Sequence, residues 1–199
     1  MASLIRPLVS LCSANEAKLR EVREALPGLE IELLAVDYPP EEGATYLDNA
    51  RIKARHGRAV GPRDHWMLAD DSGVELAALD GAPGVRTARW AEGRHVERAL
   101  AAVDGARDRS ARYVCELVCL SPEGDELRGT GVLDGAIAEA PAGAGGFGFD
   151  PVFVPHGESA TVAELGDDWK ATHSHRALAA RELSAALERH RAHGARPTS

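Results

Sequence analysis

The sequence predicts a mixed α/β fold. At the start of the chain a strand, a helix and a second strand follow one another, and several consecutive strands come later. That order is typical of a mixed sheet with helices packed around it. The chain has 199 residues, of which 44% are hydrophobic, and a chain of this size can bury a core large enough to fold unaided. We expect one domain over residues 1–199, with a tail that frays from about residue 190.

The first strand and helix are indicated by an apolar run and by helix-capping residues. Residues 8–12 are apolar and predict a buried strand. Ser13 and Glu16 have the spacing of a capping box at the start of the helix that follows, and Asn15 is an alternative N-cap. A proline and a glycine at residues 27–28 end this helix.

A second strand and a second helix come next. Residues 31–36 are mostly apolar and predict the strand. A loop with two prolines then leads to a helix over residues 45–60. Thr45 is the predicted N-cap of that helix, because Asp48 occupies the capping-box position three residues later.

The remaining elements are assigned from β-forming runs, from glycine and proline turns, and from helical periodicity. A short strand over residues 67–69 is expected to end at the acidic pair Asp70-Asp71, and residues 74–79 fit either a strand or a helix. The other predictions are a turn over residues 81–84, a helix over 96–103, a strand over 112–120, one or two strands over 127–137 broken at Asp134-Gly135, a glycine-rich loop over 143–149, a strand over 152–154 and a helix over 174–189.

Composition excludes some partners and indicates a compartment. The net charge is −8 and no basic face is visible, whereas a protein that binds a nucleic-acid backbone usually carries clustered cations. The three cysteines, Cys12, Cys115 and Cys119, lack the spacing of a zinc site, which indicates free thiols in a reducing compartment, with Cys115 and Cys119 facing a core. The sequence has no secretory signal and no apolar run of membrane-spanning length. We expect a cytoplasmic protein that binds neither nucleic acid nor membrane.

Polar residues follow the first predicted strand. Residues 13–18 read Ser-Ala-Asn-Glu-Ala-Lys. Backbone N–H groups at a helix N-terminus favour an anion, and Lys18 in the first turn would lie near it. Ordinary capping beside a solvated lysine gives the same pattern. Alone, this segment is therefore weak support for an anion site.

The acidic pair Asp70-Asp71 is more informative. Two adjacent carboxylates repel each other unless a cation or several donors compensate them. Mg²⁺ prefers oxygen ligands and keeps several of its waters, so it is a natural compensator. The alternative is a turn that begins with aspartate.

Two further pairs of polar residues lie upstream of these acids. Glu41 and Glu42 occupy a loop from which either could supply a metal ligand, although acidic loops are usually solvated. Asn49 and Lys53 lie four residues apart, on one face of the predicted helix. Both could reach a phosphate, or both could be exposed polar residues.

Residues 143–148 match the G-x-G-x-x-G pattern of dinucleotide-binding folds, but their surroundings exclude that function. The pattern needs a strand before it and a helix after it, whereas Pro141 precedes this loop and Asp150-Pro151 follows it. A loop that presents Phe147 to a flat base, with Asp150 nearby, is the better interpretation.

Cations cluster near the predicted start of the last helix. Lys170, His175 and Arg176 would lie beside the positive end of the helix dipole, where cations are disfavoured. An anionic ligand explains that placement better than helix stability does. His173 and His175 could form a zinc-binding pair, but no third ligand has the spacing to complete the site.

In their order along most of the chain, these segments resemble the inosine triphosphate pyrophosphatase family. The matching stretches are Ser-Ala-Asn-Glu-Ala-Lys (13–18), the segment from Glu-Glu-Gly to Ile-Lys-Ala (41–54), Ala-Asp-Asp-Ser-Gly (69–73) with Gly-Ala-Pro-Gly (81–84), Gly-Gly-Phe-Gly-Phe-Asp-Pro-Val-Phe (145–153), and Ala-Glu-Leu (163–165) leading to Lys170 and Ser-His-Arg (174–176). The resemblance implies hydrolysis of non-standard purine nucleoside triphosphates, such as dITP, ITP and XTP, to the monophosphate and pyrophosphate.

The resemblance also implies a shape, a cofactor and residue roles. The implied fold is an elongated, two-lobed α/β fold with a long twisted mixed sheet flanked by helices, the implied assembly is a homodimer, and the implied cofactor is Mg²⁺. Asp71 is implied as the catalytic carboxylate, with Asp70 and Glu41 as the other acids around Mg²⁺. The residues implied in substrate binding are Asn15, Lys18, Lys53 and Ser72 at the triphosphate, Phe147 stacked on the base, Phe149, Asp150, Lys170, His175 and Arg176 in the nucleoside pocket, and Ser13 and Gly148 beside them.

Some details depart from the family pattern. Ala14 stands where many members have glycine, and Phe149 replaces a tyrosine or tryptophan. Either Glu41 or Glu42 could contact the metal. Residues 81–92 are close to the family pattern and are assigned to structure near the site.

Two rival functions remain open from the sequence. A related pyrophosphatase that prefers modified pyrimidine triphosphates would share the fold and most of the acids. A nucleotide sensor without enzymatic activity would keep the aromatic and cationic residues. Such a sensor has no need of Asp70-Asp71, and the acidic pair therefore favours an enzyme.

Overall fold

The computed structural model describes residues 7–194, and its centre is a six-stranded mixed sheet. The strands are β1 (Leu8–Leu11), β2 (Glu30–Leu33), β3 (Trp66–Leu76), β4 (Ser110–Leu120), β5 (Glu126–Ile137) and β6 (Phe153–Pro155), in the order β2-β1-β3-β4-β5-β6. β1 pairs in parallel with β2 and β3, and the pairs from β3 to β6 are antiparallel. The predicted mixed α/β class is confirmed.

Helices pack on both faces of this sheet. They are α1 (Glu16–Ala25), α2 (Tyr46–Val60), α3 (Thr87–Ala91), α4 (His95–Ala102), α5 (Val162–His173) and α6 (His175–Gly194), and two 3₁₀ turns, Ala77–Leu79 and Gly84–Arg86, connect β3 to α3. Leu68 of β3 packs in one core cluster with Val22 of α1 and Leu183 of α6. Its neighbour Met67 packs in another cluster with Ala50 of α2. Because side chains alternate across a strand, β3 separates an α1/α6 side from an α2 side.

The sequence predicts that this strand ends at the acidic pair, but β3 does not end there. It continues through Asp70 and Asp71 to Leu76, in unbroken antiparallel register with β4. Gly73 lets the segment that contains Gly84 and Thr87 pack directly against this strand, because a Cβ at residue 73 would crowd the hydroxyl of Thr87 and the carbonyl of Gly84. Residues 74–79, which fit either a strand or a helix from the sequence, form the end of β3 and then a 3₁₀ turn.

Strand β5 is also continuous, where a break at Asp134-Gly135 was one of the expectations. Gly135 pairs with Pro155 of β6, and a Cβ at this position would overlap the carbonyl oxygen of Val154. The glycine therefore admits the neighbouring strand and does not mark a turn.

The prediction for the C-terminal helices was wrong in three respects. Helix α5 was not predicted, because Gly166 (φ 81°, ψ −177°) interrupts its helical backbone and so obscures the periodicity. Lys170 lies in the last turn of α5 and not at the start of the last helix. Helix α6 runs to Gly194, so residues 190–194 are helical where a frayed tail was expected. The rest of that tail, residues 195–199, lies outside the described residues.

Of the two capping boxes predicted from the sequence, one is present and the other is not. The capping box of Thr45 and Asp48 is present at α2, as predicted. At α1 the cap is Asn15, whose side chain accepts hydrogen bonds from the backbone N–H groups of Ala17 and Lys18. Ser13 instead accepts from the N–H of Asn15. The alternative cap is therefore correct and the Ser13 capping box is not.

Two glycines of β5 control how closely α6 approaches the sheet. A Cβ at Gly129 would overlap the carbonyl oxygen of Ala179, and a Cβ at Gly131 would overlap that of His175. Helix α6 can therefore lie directly on β5. This contact sets the position of its first turn, which carries His175 and Arg176.

Two further sequence expectations concern cysteines and membrane spans. Cys12, Cys115 and Cys119 are all unpaired and buried, so the core placement of Cys115 and Cys119 is confirmed. Within residues 7–194, none of the helices combines the length and apolar character that crossing a bilayer requires.

Candidate active site

A cavity of about 450 Å³ brings together most of the predicted site residues. Those that line it are Ser13, Asn15, Lys18, Glu41, Lys53, Asp71, Ser72, Phe147, Gly148, Phe149, Asp150, Lys170, His175 and Arg176. Asp70 is absent from its lining. Glu42 faces a different surface pocket, beside Arg86 and Arg89. Of the two glutamates that the sequence left open, Glu41 is the one at this cavity.

Asp71 is a buried acid on the α2 side of β3. Its Oδ2 accepts a hydrogen bond of 3.0 Å from the side-chain amide of Asn49, and its Oδ1 lies 3.8 Å from the ammonium of Lys53. The Asn49 amide is held in turn, because its oxygen accepts from the N–H of Gly43 at 2.8 Å. Burial raises the pKa of Asp71 to about 6, against the opposing effect of Lys53.

Glu41 and Asp71 lie on either side of one cation. The ammonium of Lys53 lies 2.6 Å from the Glu41 carboxylate and 3.8 Å from that of Asp71. These carboxylates are the oxygen ligands that Mg²⁺ prefers. Within the part of the chain that the structure describes, no group of three acidic, histidine or cysteine side chains could hold a metal by itself. The donor set therefore fits a Mg²⁺ ion whose coordination is completed by water and by phosphate oxygens of a ligand.

Asp70 lies on the opposite side of β3 from Asp71 and pairs with two cations. Its Oδ2 is 2.8 Å from the Lys18 ammonium and 3.2 Å from a guanidinium nitrogen of Arg176. Burial alone would raise the pKa of the Asp70 carboxyl, but these two cations lower it below its ordinary value. Asp70 does not line the cavity in which phosphates and Mg²⁺ would lie, so the arrangement does not support its expected place among the metal ligands.

The other end of the cavity holds a chain of buried ion pairs. The Lys170 ammonium lies 2.7 Å from the Asp150 carboxylate and 2.5 Å from that of Glu21. The second oxygen of Glu21 pairs with Arg176. Arg176 is almost fully buried, with 2% of its surface exposed. A buried guanidinium is tolerated only when it is paired, and Glu21 and Asp70 supply that pairing.

Phe147 forms an exposed aromatic face above these ion pairs. The residue is 39% exposed, and its ring centroid lies 4.8 Å from the Lys170 ammonium. Its backbone N–H donates to Asp150 at 2.9 Å, which ties the loop to the ion pairs below. Phe147 can therefore offer a flat surface to a ligand without leaving the loop.

A group of aromatic rings closes the inner wall. His175 stacks on Tyr113, with ring centroids 4.7 Å apart, and Phe149 lies edge-on to His95 at 4.9 Å. Burial, reinforced by nearby Arg176, lowers the pKa of His175 well below its ordinary value. The imidazole is therefore neutral at physiological pH, and its buried Nδ1 has no hydrogen-bond partner among the described residues.

Sequence analysis missed several residues of this cavity. Glu21 lies one helical turn after Lys18, so the i, i+3 spacing was the available signal. Tyr113 lies inside a strand rich in β-forming residues, from which a core position is the natural expectation. Tyr38 and Thr87, which also line the cavity, carry no local signal.

The cavity can hold a polyanion and a flat ring at the same time. One end combines two lysines with the carboxylates of Asp71 and Glu41, which suits phosphates and a divalent cation. The other end combines the face of Phe147 with the cations Lys170 and Arg176, which act only as hydrogen-bond donors. A phosphorylated nucleoside has both features.

Comparison with known proteins gives concordant matches. The model of the Ham1 family matches residues 9–186. Two similar curated proteins are dITP/XTP pyrophosphatases, one from Thermus thermophilus (42% identity over 188 residues, 88% of this chain and 89% of the relative) and one from Bdellovibrio bacteriovorus (37% over 193 residues, 90% and 95%). The solved structure of a HAM1 protein from Coxiella burnetii is 36% identical, with a TM-score of 0.79 over 92% of this chain and 99% of that one.

Proposed function

The chain belongs to the Ham1 family, and on that premise we propose that it is a nucleoside triphosphate pyrophosphatase that acts on non-standard purine nucleotides. It hydrolyses dITP, ITP or XTP to the nucleoside monophosphate and pyrophosphate, and so removes them from the nucleotide pool. The observation that carries this proposal is one cavity in which the Asp71 and Lys53 pair and the Phe147 face both take part.

Asp71 is the general base in this proposal. It takes a proton from a water whose oxygen bonds to the α-phosphorus, while the bond from that phosphorus to the bridging oxygen of pyrophosphate breaks. Without bound metal, the Asp71 carboxyl has a pKa of about 6, so it is mostly ionised at pH 7 and is more basic than an ordinary aspartate. The hydrogen bond from Asn49 keeps the carboxylate oriented.

Lys18 and Lys53 meet the negative charge of the triphosphate. Both line the cavity, and each is already paired with a carboxylate, so their side chains are positioned before the substrate binds. Positioning and neutralisation of charge provide most of the acceleration in phosphoryl transfer. Mg²⁺, held by Asp71 and Glu41 together with the phosphates, would supply further charge neutralisation and polarise the reacting phosphoryl group.

Discrimination against adenine follows from the hydrogen-bond donors at the nucleoside end. Hypoxanthine and xanthine carry a 6-oxo group, which can accept from Lys170 or Arg176. Adenine carries an amino group at that position, and an amino group that faces Lys170 or Arg176 would leave buried donors unpaired. The face of Phe147 stacks on either purine and does not discriminate between them.

Assembly and location extend the proposal. We expect a homodimer from the family resemblance, and size-exclusion chromatography with light scattering tests this expectation. We place the enzyme in the cytoplasm, and the three unpaired cysteines support a reducing compartment.

The decisive experiment measures pyrophosphate release from dITP, XTP, dATP, dGTP and a modified pyrimidine triphosphate, with Mg²⁺ and with EDTA. Fast release from dITP and XTP alone, lost in EDTA, is the expected result. Release from none of the substrates would transfer support to a nucleotide sensor. Preferred release from the pyrimidine would assign another substrate class to the same fold.

A further inference from the structure

We propose that Asp70 is a positioning residue that couples recognition of the base to binding of the triphosphate. This inference rests on the proposed function and assigns Asp70 a role other than metal binding. Asp70 does not line the cavity, yet its carboxylate touches two cations that do, Lys18 and Arg176.

On the nucleoside side, the contacts leading to Asp70 are continuous. The Phe147 loop is tied to Asp150 by a backbone hydrogen bond, and Asp150 pairs with Lys170. Lys170 pairs with Glu21, and the other oxygen of Glu21 pairs with Arg176. A base that shifts Phe147 or Lys170 therefore acts, through Glu21, on Arg176.

Arg176 connects this series of contacts to the phosphate end of the cavity. One guanidinium nitrogen of Arg176, Nη2, donates to Asp70 at 3.2 Å and to the hydroxyl of Ser72 at 3.1 Å. Asp70 in turn lies 2.8 Å from Lys18, whose side chain is 18% exposed and faces the cavity. Any shift of Arg176 thus changes the carboxylate that holds Lys18.

The position of Asp70 suits a connecting role. The side chain is 1% exposed, and it lies on the α1/α6 side of β3, where both of its cations originate. Removing its charge would leave Lys18 and Arg176 close to each other without the anion that stabilises both, because a buried charge needs a partner. Asp71, on the other side of the strand, would keep its contacts with Asn49 and Lys53.

Coupling between two ligands is a measurable quantity. If inosine tightens the binding of tripolyphosphate by some factor, tripolyphosphate must tighten the binding of inosine by the same factor. A residue that only supports the fold changes both affinities and leaves this factor unaltered. The factor is therefore the readout that separates coupling from a structural role.

The experiment is isothermal titration of the full chain with tripolyphosphate in Mg²⁺, without and with saturating inosine. In the wild-type protein we expect inosine to tighten tripolyphosphate binding about fivefold or more. In Asp70→Asn the factor should fall to about one, although both ligands still bind. Glu75→Gln is the matched control, because Glu75 is an acid of the same strand whose partner, Arg112, is outside the chain of ion pairs. It should keep the wild-type factor.

Two results would overturn the proposal: a factor of one in the wild-type protein, or an unchanged factor in Asp70→Asn. If Asp70→Asn does not fold, Lys18→Met tests the same connection, because Asp70 then keeps Arg176 as a partner. An unchanged factor in Lys18→Met would also overturn the coupling. These binding measurements do not depend on turnover. A protein that couples the two ligands but hydrolyses no triphosphate would refute the proposed function, not the coupling.

Discussion

Asp70 and Asp71 are neighbours in strand β3, yet their carboxylates face opposite sides of the sheet and have opposite electrostatic surroundings. The cations around Asp70 lower its pKa below the ordinary value, whereas burial raises the pKa of Asp71 to about 6. The alternation of side chains along a strand is enough to produce this difference. One carboxylate is permanently charged and fixed, and the other is basic enough to accept a proton.

Asp71→Asn should reduce turnover of dITP at least about 100-fold, because a general base contributes that much or more. The variant should be no less stable than the wild-type protein at pH 7, since folding raises the pKa of Asp71 and so opposes the charged form. Steady-state rates and thermal melting at pH 7 measure the two effects. Glu75→Gln, in the same strand, should leave turnover unchanged. Substantial activity in Asp71→Asn would refute its catalytic role.

The pH dependence of kcat/KM should show an acid limb near pH 6. Asp71 must be ionised to act as a base, so the rate should rise about tenfold per pH unit below its pKa of about 6 and level off above it. Metal and protons compete for the carboxylate, and higher Mg²⁺ should move the limb to lower pH. Initial rates between pH 4.5 and 8 at two Mg²⁺ concentrations test this. A limb that also appears in binding of dITP to Asp71→Asn would belong to another group.

The effect of the same acid on stability has the opposite sign from its effect on activity. Because folding raises its pKa, the contribution of Asp71 to the free energy of unfolding is greatest below the unfolded value of about 3.8. That contribution is lost as the pH rises through about 6. In the proposed mechanism, the base therefore becomes available in the pH range where this residue no longer favours folding.

Metal removal should abolish turnover without unfolding the protein. Asp71 and Glu41 share the ammonium of Lys53, and within residues 7–194 no third acid, histidine or cysteine joins them as a possible metal ligand. Mg²⁺ should therefore bind weakly until phosphates complete its coordination. After EDTA and desalting we expect no stoichiometric metal by elemental analysis, an unchanged melting temperature, and full recovery of activity in excess Mg²⁺. Metal that survives EDTA treatment would reveal a ligand set other than this one.

Phe147→Ala should raise KM for dITP about 5- to 150-fold, because stacking of a base on an aromatic ring is worth ~1–3 kcal/mol. Phe147→Trp keeps an aromatic face and should remain near the wild-type value. Binding of tripolyphosphate, which has no base, is the internal control and should be unaffected by either variant. Equal weakening of dITP and tripolyphosphate would show that the loop acts on the phosphates instead.

Gly131→Ala should destabilise the protein by ~1–3 kcal/mol, the usual cost of overpacking. The added Cβ would overlap the carbonyl oxygen of His175, so the first turn of α6 must move, and activity should fall as well. Denaturant unfolding and dITP turnover measure the two losses. Gly28→Ala is the control, because a Cβ there meets nothing within 4 Å. A Gly131→Ala protein with wild-type turnover would show that the position of α6 is not critical.

Local interactions were predictable from the sequence. The capping box of Thr45 and Asp48 joins residues only three positions apart, so it can be recognised from a short stretch of sequence. The consecutive strands and the mixed α/β class follow from apolar patterning, which is also local. Residue chemistry also singled out Lys18, the acidic pair and Phe147, whereas the family resemblance alone added Ser72, Gly148 and Phe149.

Helix α5 and the cap of α1 show where local patterns fail. Gly166 adopts a backbone conformation that only glycine readily takes, and it separates two short helical segments that share no clear periodicity. Ser13 and Asn15 are both good N-caps, and only the geometry of the chain leaving β1 selected Asn15.

The sequence alone determined the class of fold, most of its strands and helices, and, through its motifs, the family whose site residues it carries. The tertiary structure decided which residues act on one another. It brought Glu21 to Arg176, which is 155 positions away, and it separated the adjacent acids Asp70 and Asp71. The physical reason is that capping and periodicity are encoded within a few residues, whereas the pairing and the pKa of a buried charge depend on residues that meet only when the sheet and its helices pack together.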